Sequence, residues 1–97
     1  MKRPDGLIIK PGSTIAIEAE RTVKSKYRYQ QVIIHYLKMI KKGEFEKIWY
    51  VMPNEKTKHA VEQAMKSIES LTVISNGEKR SYPLNDSIWE KFEFFIL

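Results

Sequence analysis

Three acids gather early in this chain: Asp5, Glu18 and Glu20. Asp5 precedes a short apolar run, Leu7 to Ile9, and the two glutamates follow a second run, Ile15 to Ile17. Pro11-Gly12 lies between the runs and suits a reversing loop. In a symmetric hairpin pivoting there, position 10 faces 13, 9 faces 14 and 5 faces 18. Asp5 then lies across from Glu18. Glu20 projects from the same face, because strand side chains alternate. A slip of one residue would break this alignment. Like charges this close repel, and in a half-buried site each raises the pKa of the others. A hard divalent ion with oxygen ligands, Mg²⁺ or Mn²⁺, would neutralise them. The other reading leaves Asp5 and Glu20 solvated at fraying strand ends, and spacing alone does not choose.

Cations follow directly. Thr22 to Lys42 reads as a long helix, capped by Thr22 or Ser25 and stopped by Gly43. Tyr29, Val32, Ile33, Tyr36, Leu37 and Ile40 recur at three- and four-residue steps, an apolar stripe for a sheet to cover. Lys24, Arg28, Gln31, His35, Lys38 and Lys42 fall on another face, and Lys26 stands near its start. Such a row is either a solvated surface or a track for a phosphate backbone leaving the acidic strand. The formal charge of +5 permits a polyanion partner, DNA above all, without requiring one.

The remaining pattern supplies a frame for these groups. Glu46 to Met52 is a bulky apolar strand ended by Pro53. Asn54 or Thr57 caps a second helix striped with Ala60, Val61, Ala64, Met65 and Ile68. Leu71 to Ser75 is a further strand closed by Asn76-Gly77. The expectation is an α/β fold: a mixed sheet of about four strands flanked by two helices, in the order β-β-α-β-α-β. Tyr82 to Asp86 reads as a loop. Ser87 onward reads as helix or strand, with Trp89, Phe92, Phe94 and Phe95 docking on the domain or on a second subunit.

At 97 residues the chain is one domain. Cysteine is absent, which excludes disulfides, thiolate zinc sites and a thiol nucleophile. No apolar run approaches the roughly 18 residues of a membrane span, and nothing after the basic start suits a signal peptide. A cytoplasmic location without a membrane partner is the expectation. His35 and His59 have no acid or second histidine at ligand spacing.

Pro4-Asp5, Glu18-Ala19-Glu20 and a basic helix start together resemble the PD-(D/E)XK nuclease superfamily, the restriction-endonuclease-like fold. Arg3-Pro4-Asp5-Gly6, Glu18 to Ser25 and Arg28-Tyr29 resemble more closely the domain of plasmid replication-relaxation and mobilisation proteins. The resemblance spans roughly residues 3 to 75, leaving 78–97 as a C-terminal extension. It implies metal-dependent hydrolysis of DNA phosphodiesters, with Asp5, Glu18 and the Ala19 carbonyl on Mg²⁺ or Mn²⁺. Lys24, Lys26, Arg28, Gln31, His35 and Lys38 would meet the DNA. The sequence departs from the family at the motif lysine, whose place Glu20 takes. Either Lys24 or Lys26 reaches back to supply the cation, Glu20 serves as ligand or base, or catalysis is lost. The helix and strand that usually precede the Pro-Asp strand are also missing. A truncated domain, a partner subunit or a homodimer would supply that layer.

Overall fold

The Pro-Gly pair does what its geometry favours. In the computed structural model, which describes residues 4–97, Gly12 has φ 76° and closes a two-residue turn. That positive φ is the third-position requirement of a type II turn with proline before it. Arg3, part of the family resemblance, lies outside the described residues. The turn joins β1 (Gly6–Lys10) to β2 (Ser13–Ala19) with Lys10 opposite Ser13, Ile9 opposite Thr14 and Gly6 opposite Ile17. This is the expected register, and it sets Asp5 across from Glu18.

The first helix, α1 (Lys26–Lys41), is shorter than the sequence suggested. Residues 20–25 run without helix, and Ser25 is the cap, its Oγ accepting from Arg28 N–H at 3.2 Å. Lys38 and Lys41 occupy the last turn, where the helix dipole favours cations. β3 (Lys47–Met52) then runs parallel to β2. Asn54 caps α2 (Glu55–Lys66) through a 2.8 Å bond from Thr57 N–H.

The fourth strand of the main sheet comes from an unexpected place. β4 (Ser70–Ser75) pairs only with β5 (Glu78–Pro83), as a separate antiparallel hairpin. Asn76 and Gly77, at φ 52° and 79°, form the type I′ turn that matches strand twist, and closing so short a loop costs little entropy. The apolar C-terminal segment takes the vacant edge. After a one-turn helix, α3 (Asp86–Trp89), β6 (Phe92–Ile96) lies parallel to β3. The sheet order is therefore β1-β2-β3-β6. Tyr82 and Pro83, expected in a loop, belong to β5, and the aromatic tail docks on its own sheet.

Both longer helices cover one face of that sheet. Ala16, Ile48, Tyr50, Met52 and Phe92 alternate along the strands and share a core with Tyr29, Ile33 and Tyr36 of α1 and Val61 and Met65 of α2. Asp5, Glu18 and Glu20 have the same parity as these residues and lie where β2 ends. No helix among the described residues is long and apolar enough to cross a membrane.

Candidate functional site

Strand alternation brings the acids under α1, and tyrosines meet them there. The Tyr36 hydroxyl donates to Glu18 Oε1. One helical turn pair earlier, Tyr29 donates to Glu20 Oε2 at 3.5 Å and accepts from Lys24 N–H at 2.9 Å. Both rings are buried in the core, so each hydroxyl needs a polar partner, and the carboxylates provide it. Burial, above all, raises the Tyr29 hydroxyl to about 12, with the Glu20 charge adding to it against the Lys24 N–H bond. Tyr36 is raised further, first by burial and then by its bond to Glu18 and the charges of Glu18 and Asp5. Tyr50 is raised chiefly by burial, with Glu18 the next cause. All three stay protonated at neutral pH and face the acids as neutral dipoles.

Asp5 closes the hairpin rather than fraying from it. Its Oδ2 accepts from Ala19 N–H at 2.9 Å, continuing the ladder by one side-chain bond beyond Gly6. On the other side, Glu20 N–H donates to Val51 O at 3.0 Å and pins the end of β2 to β3. Lys24 does reach back from the segment before α1. Its Nζ lies 3.1 Å from Glu20 Oε1 and also donates to Thr22 Oγ1 at 2.9 Å. Glu18, Ala19, Glu20, Lys24 and Arg28 line one small cavity of about 60 Å³ with Tyr29 and Tyr50.

A wider groove of about 490 Å³ adjoins it, with Glu18 and Tyr36 at its base and Tyr27, Arg28, Gln31 and His35 along α1. The helical row thus partly meets the acids. Lys26 is exposed at the first position of α1 and lines neither space. Lys38 lies in a different cavity, between α1 and the β4–β5 hairpin. His35 is held below its usual range, by burial first and then by surrounding positive charge that includes Lys38 and Lys42. A larger cavity, about 700 Å³, lies elsewhere, among Phe45, Glu46, Lys47, Glu90 and Lys91 at the amino ends of β3 and β6. Its charges alternate in sign, so it favours no charged ligand. The acids sit instead at the carboxyl end of β2, the end where open α/β sheets bind ligands.

Among the described residues no three His, Cys, Asp or Glu side chains form a ready metal cage. Glu20 is committed to Lys24 and Tyr29. The donor set that remains is Asp5 and Glu18 with the Ala19 carbonyl, all hard oxygens of the kind Mg²⁺ and Mn²⁺ accept alongside several waters. In chemical type the residues fit the ion.

Sequence reasoning placed Tyr29 and Tyr36 in an apolar stripe and missed their hydroxyls. The signal was present: tyrosine stands where leucine or phenylalanine would pack equally well, facing a strand that carries two glutamates. Tyr27, which is 70% exposed over the groove, fits no apolar stripe and was also missed. Comparisons with protein-family models, with curated proteins and with solved structures find no match for this chain.

Proposed function

We propose that the chain is a restriction-endonuclease-like domain that acts on DNA phosphodiesters, in keeping with its resemblance to plasmid mobilisation and replication-relaxation proteins. The observation that carries this reading is the juxtaposition of Asp5 and Glu18 across the hairpin, with the Lys24 ammonium on the same rim. Asp5, Glu18 and the Ala19 carbonyl would hold Mg²⁺ or Mn²⁺. A bound divalent ion would polarise the phosphate and lower the pKa of a water ligand. Lys24 takes the charge-offsetting role of the missing motif lysine, at the cost of its pairing with Glu20. Arg28, Gln31 and His35 line the groove along which a strand would enter, with Lys26 flanking it, and Tyr27 offers an exposed ring to a base.

A second reading has its own support. Tyr36 on Glu18 and Lys24 on Glu20 already satisfy the acids in part without a metal. A domain that binds DNA without cutting it would keep this arrangement.

The test is cleavage of supercoiled, linear and single-stranded DNA with Mn²⁺, beside calorimetric titration of the ion. Wild type should nick DNA, and Asp5→Asn or Glu18→Gln should lower the rate by about a hundredfold or more while removing the heat of Mn²⁺ binding. DNA binding without cleavage or ion binding selects the second reading. Where DNA binds, Arg28→Gln should reduce the salt slope of affinity by about one unit. Absence of binding to any of the three DNAs ends both.

A further inference from the structure

The basic row of α1 divides, and part of it has no share in the acid site. Arg28 lines the groove beside Glu18, whereas Lys38 and Lys41 line a separate cleft of about 400 Å³. Ile34 and Leu37 line that cleft from α1, Leu71, Val73 and Tyr82 from the β4–β5 hairpin, and Ile88 from α3. Register explains the hairpin's part. Leu71 stands opposite Tyr82 and Val73 lies two residues on, so the three side chains share one face. Among the described residues no carboxylate lines the cleft, and neither Lys38 nor Lys41 is ion-paired. On the same hairpin face Arg80 and Glu78 pair with each other at 3.4 Å, which leaves the sign set by the lysines unchanged. An apolar cleft bordered by unpaired cations is complementary to an amphipathic anion.

We propose that this cleft receives an acidic, apolar peptide segment of a partner protein, its large side chains on the cleft floor and its carboxylates on Lys38 and Lys41. The two halves of the surface select that chemistry together. DNA would meet the lysines, but its interfaces are polar and wet, and the five aliphatic side chains of the lining offer it no hydrogen bond. An uncharged apolar ligand would fill the floor and leave both cations without a counter-charge. A second copy of the chain brings +5 with it, so its approach to this rim is repulsive. Helical spacing sharpens the match. Ile34, Leu37, Lys38 and Lys41 recur at three- and four-residue steps, which sets apolar and cationic positions side by side along α1. A partner segment with apolar residues at similar steps, and Asp or Glu between them, is the counterpart of that line. The cleft shares no lining residue with the acid site, so the proposal holds whether or not the acids bind a metal.

Display selection of random dodecapeptides on the immobilised full chain tests this, followed by titration of the enriched peptides, in synthetic form, by fluorescence anisotropy. Enriched sequences should carry net negative charge together with large apolar residues, and their affinity should fall as salt rises. Reversing both lysines, Lys38→Glu with Lys41→Glu, should weaken binding about tenfold or more, and binding should return for a peptide whose acids are exchanged for lysine. Tyr82→Asn, at a half-exposed ring, should weaken it several-fold through the floor alone. None of these three positions belongs to the buried core, and circular dichroism should not change. No enrichment on the wild-type chain, which needs no variant to fold, overturns the proposal, as does enrichment of basic peptides. So does an acidic peptide indifferent to the lysine reversal. A DNA oligonucleotide whose binding is lost on that reversal, with no peptide bound, also overturns it and returns the lysines to a nucleic-acid track.

Discussion

A single strand, β3, serves two unlike surfaces. Ile48, Tyr50 and Met52 point into the helical layer and are almost wholly shielded, whereas Trp49 and Val51, one residue away in each case, point to a face that no described helix covers. Both sets are large and apolar, so hydrophobicity does not distinguish them. The distinction is what each meets. The covered face receives side chains from α1 and α2, and at its end it converts to a polar site where tyrosine hydroxyls hold carboxylates. The other face meets no described helix and carries the Lys47–Glu93 ion pair beside Trp49. A closed core and a half-covered face can thus share one run of residues, separated only by the pleat.

Truncation on the two sides measures this directly and should give the largest contrast. Ile48→Ala removes a fully buried side chain between Ala16 of β2 and Phe92 of β6, and should cost about 2–5 kcal/mol in urea unfolding. Val51→Ala, on the half-buried face, should cost about 1 kcal/mol or less in dilute protein. Equal losses at the two positions would erase the distinction.

Much of this division was legible in sequence, and the reasons for the exceptions are physical. The β1–β2 register followed from Pro11-Gly12 and the two β-branched runs, because a two-residue turn leaves few pairings. The stripes of α1 and α2 followed from their periodicity. The fourth strand did not. Ser70 to Ser75 reads as well for a main-sheet strand as for a hairpin, and what decides is the I′ turn at Asn76-Gly77 coupled to the more apolar Phe92 to Ile96 competing for the β3 edge. The placement of both helices on one face was equally hidden, since β3 is apolar on both sides. At the site, acid spacing revealed where the carboxylates converge, but the tyrosine hydroxyls were lost within an apolar stripe.

The polar end of the covered face gives the next contrast. Tyr36→Phe leaves the ring's packing and removes the donor to Glu18, which should cost about 1.5–3 kcal/mol, the range for hydrogen bonds to charged groups. Tyr29→Phe should cost less, because its bond to Glu20 is long at 3.5 Å, though Lys24 N–H also loses its acceptor. A Tyr36→Phe variant as stable as wild type would make the pair incidental to the fold.

The same tyrosines give the covered face an alkaline limit. Their folded-state pKa values lie above the ordinary 10.0, so the folded chain keeps protons that the unfolded chain gives up. Stability from this source is full below pH 10 and is lost as pH rises beyond it. Unfolding midpoints recorded from neutral to strongly alkaline pH should fall more steeply in wild type than in Tyr36→Phe. Parallel curves would mean that Tyr36 titrates freely in the fold.

His35 supplies the smallest and opposite effect at the mouth of the groove. Burial and nearby positive charge depress its folded-state pKa below 6.5, so the unfolded chain takes up a proton first as pH falls. The sign is thus the reverse of that for a histidine held by a carboxylate: stability is full above pH 6.5 and declines below it. His35→Gln should flatten that decline and leave the alkaline limb unchanged, because His35 is neutral throughout the alkaline range. Since His35 is only partly buried, the change should stay well under that of Tyr36→Phe, and urea midpoints at mildly acidic and neutral pH suffice to read it. An acid limb as steep in His35→Gln as in wild type would assign the decline to other groups.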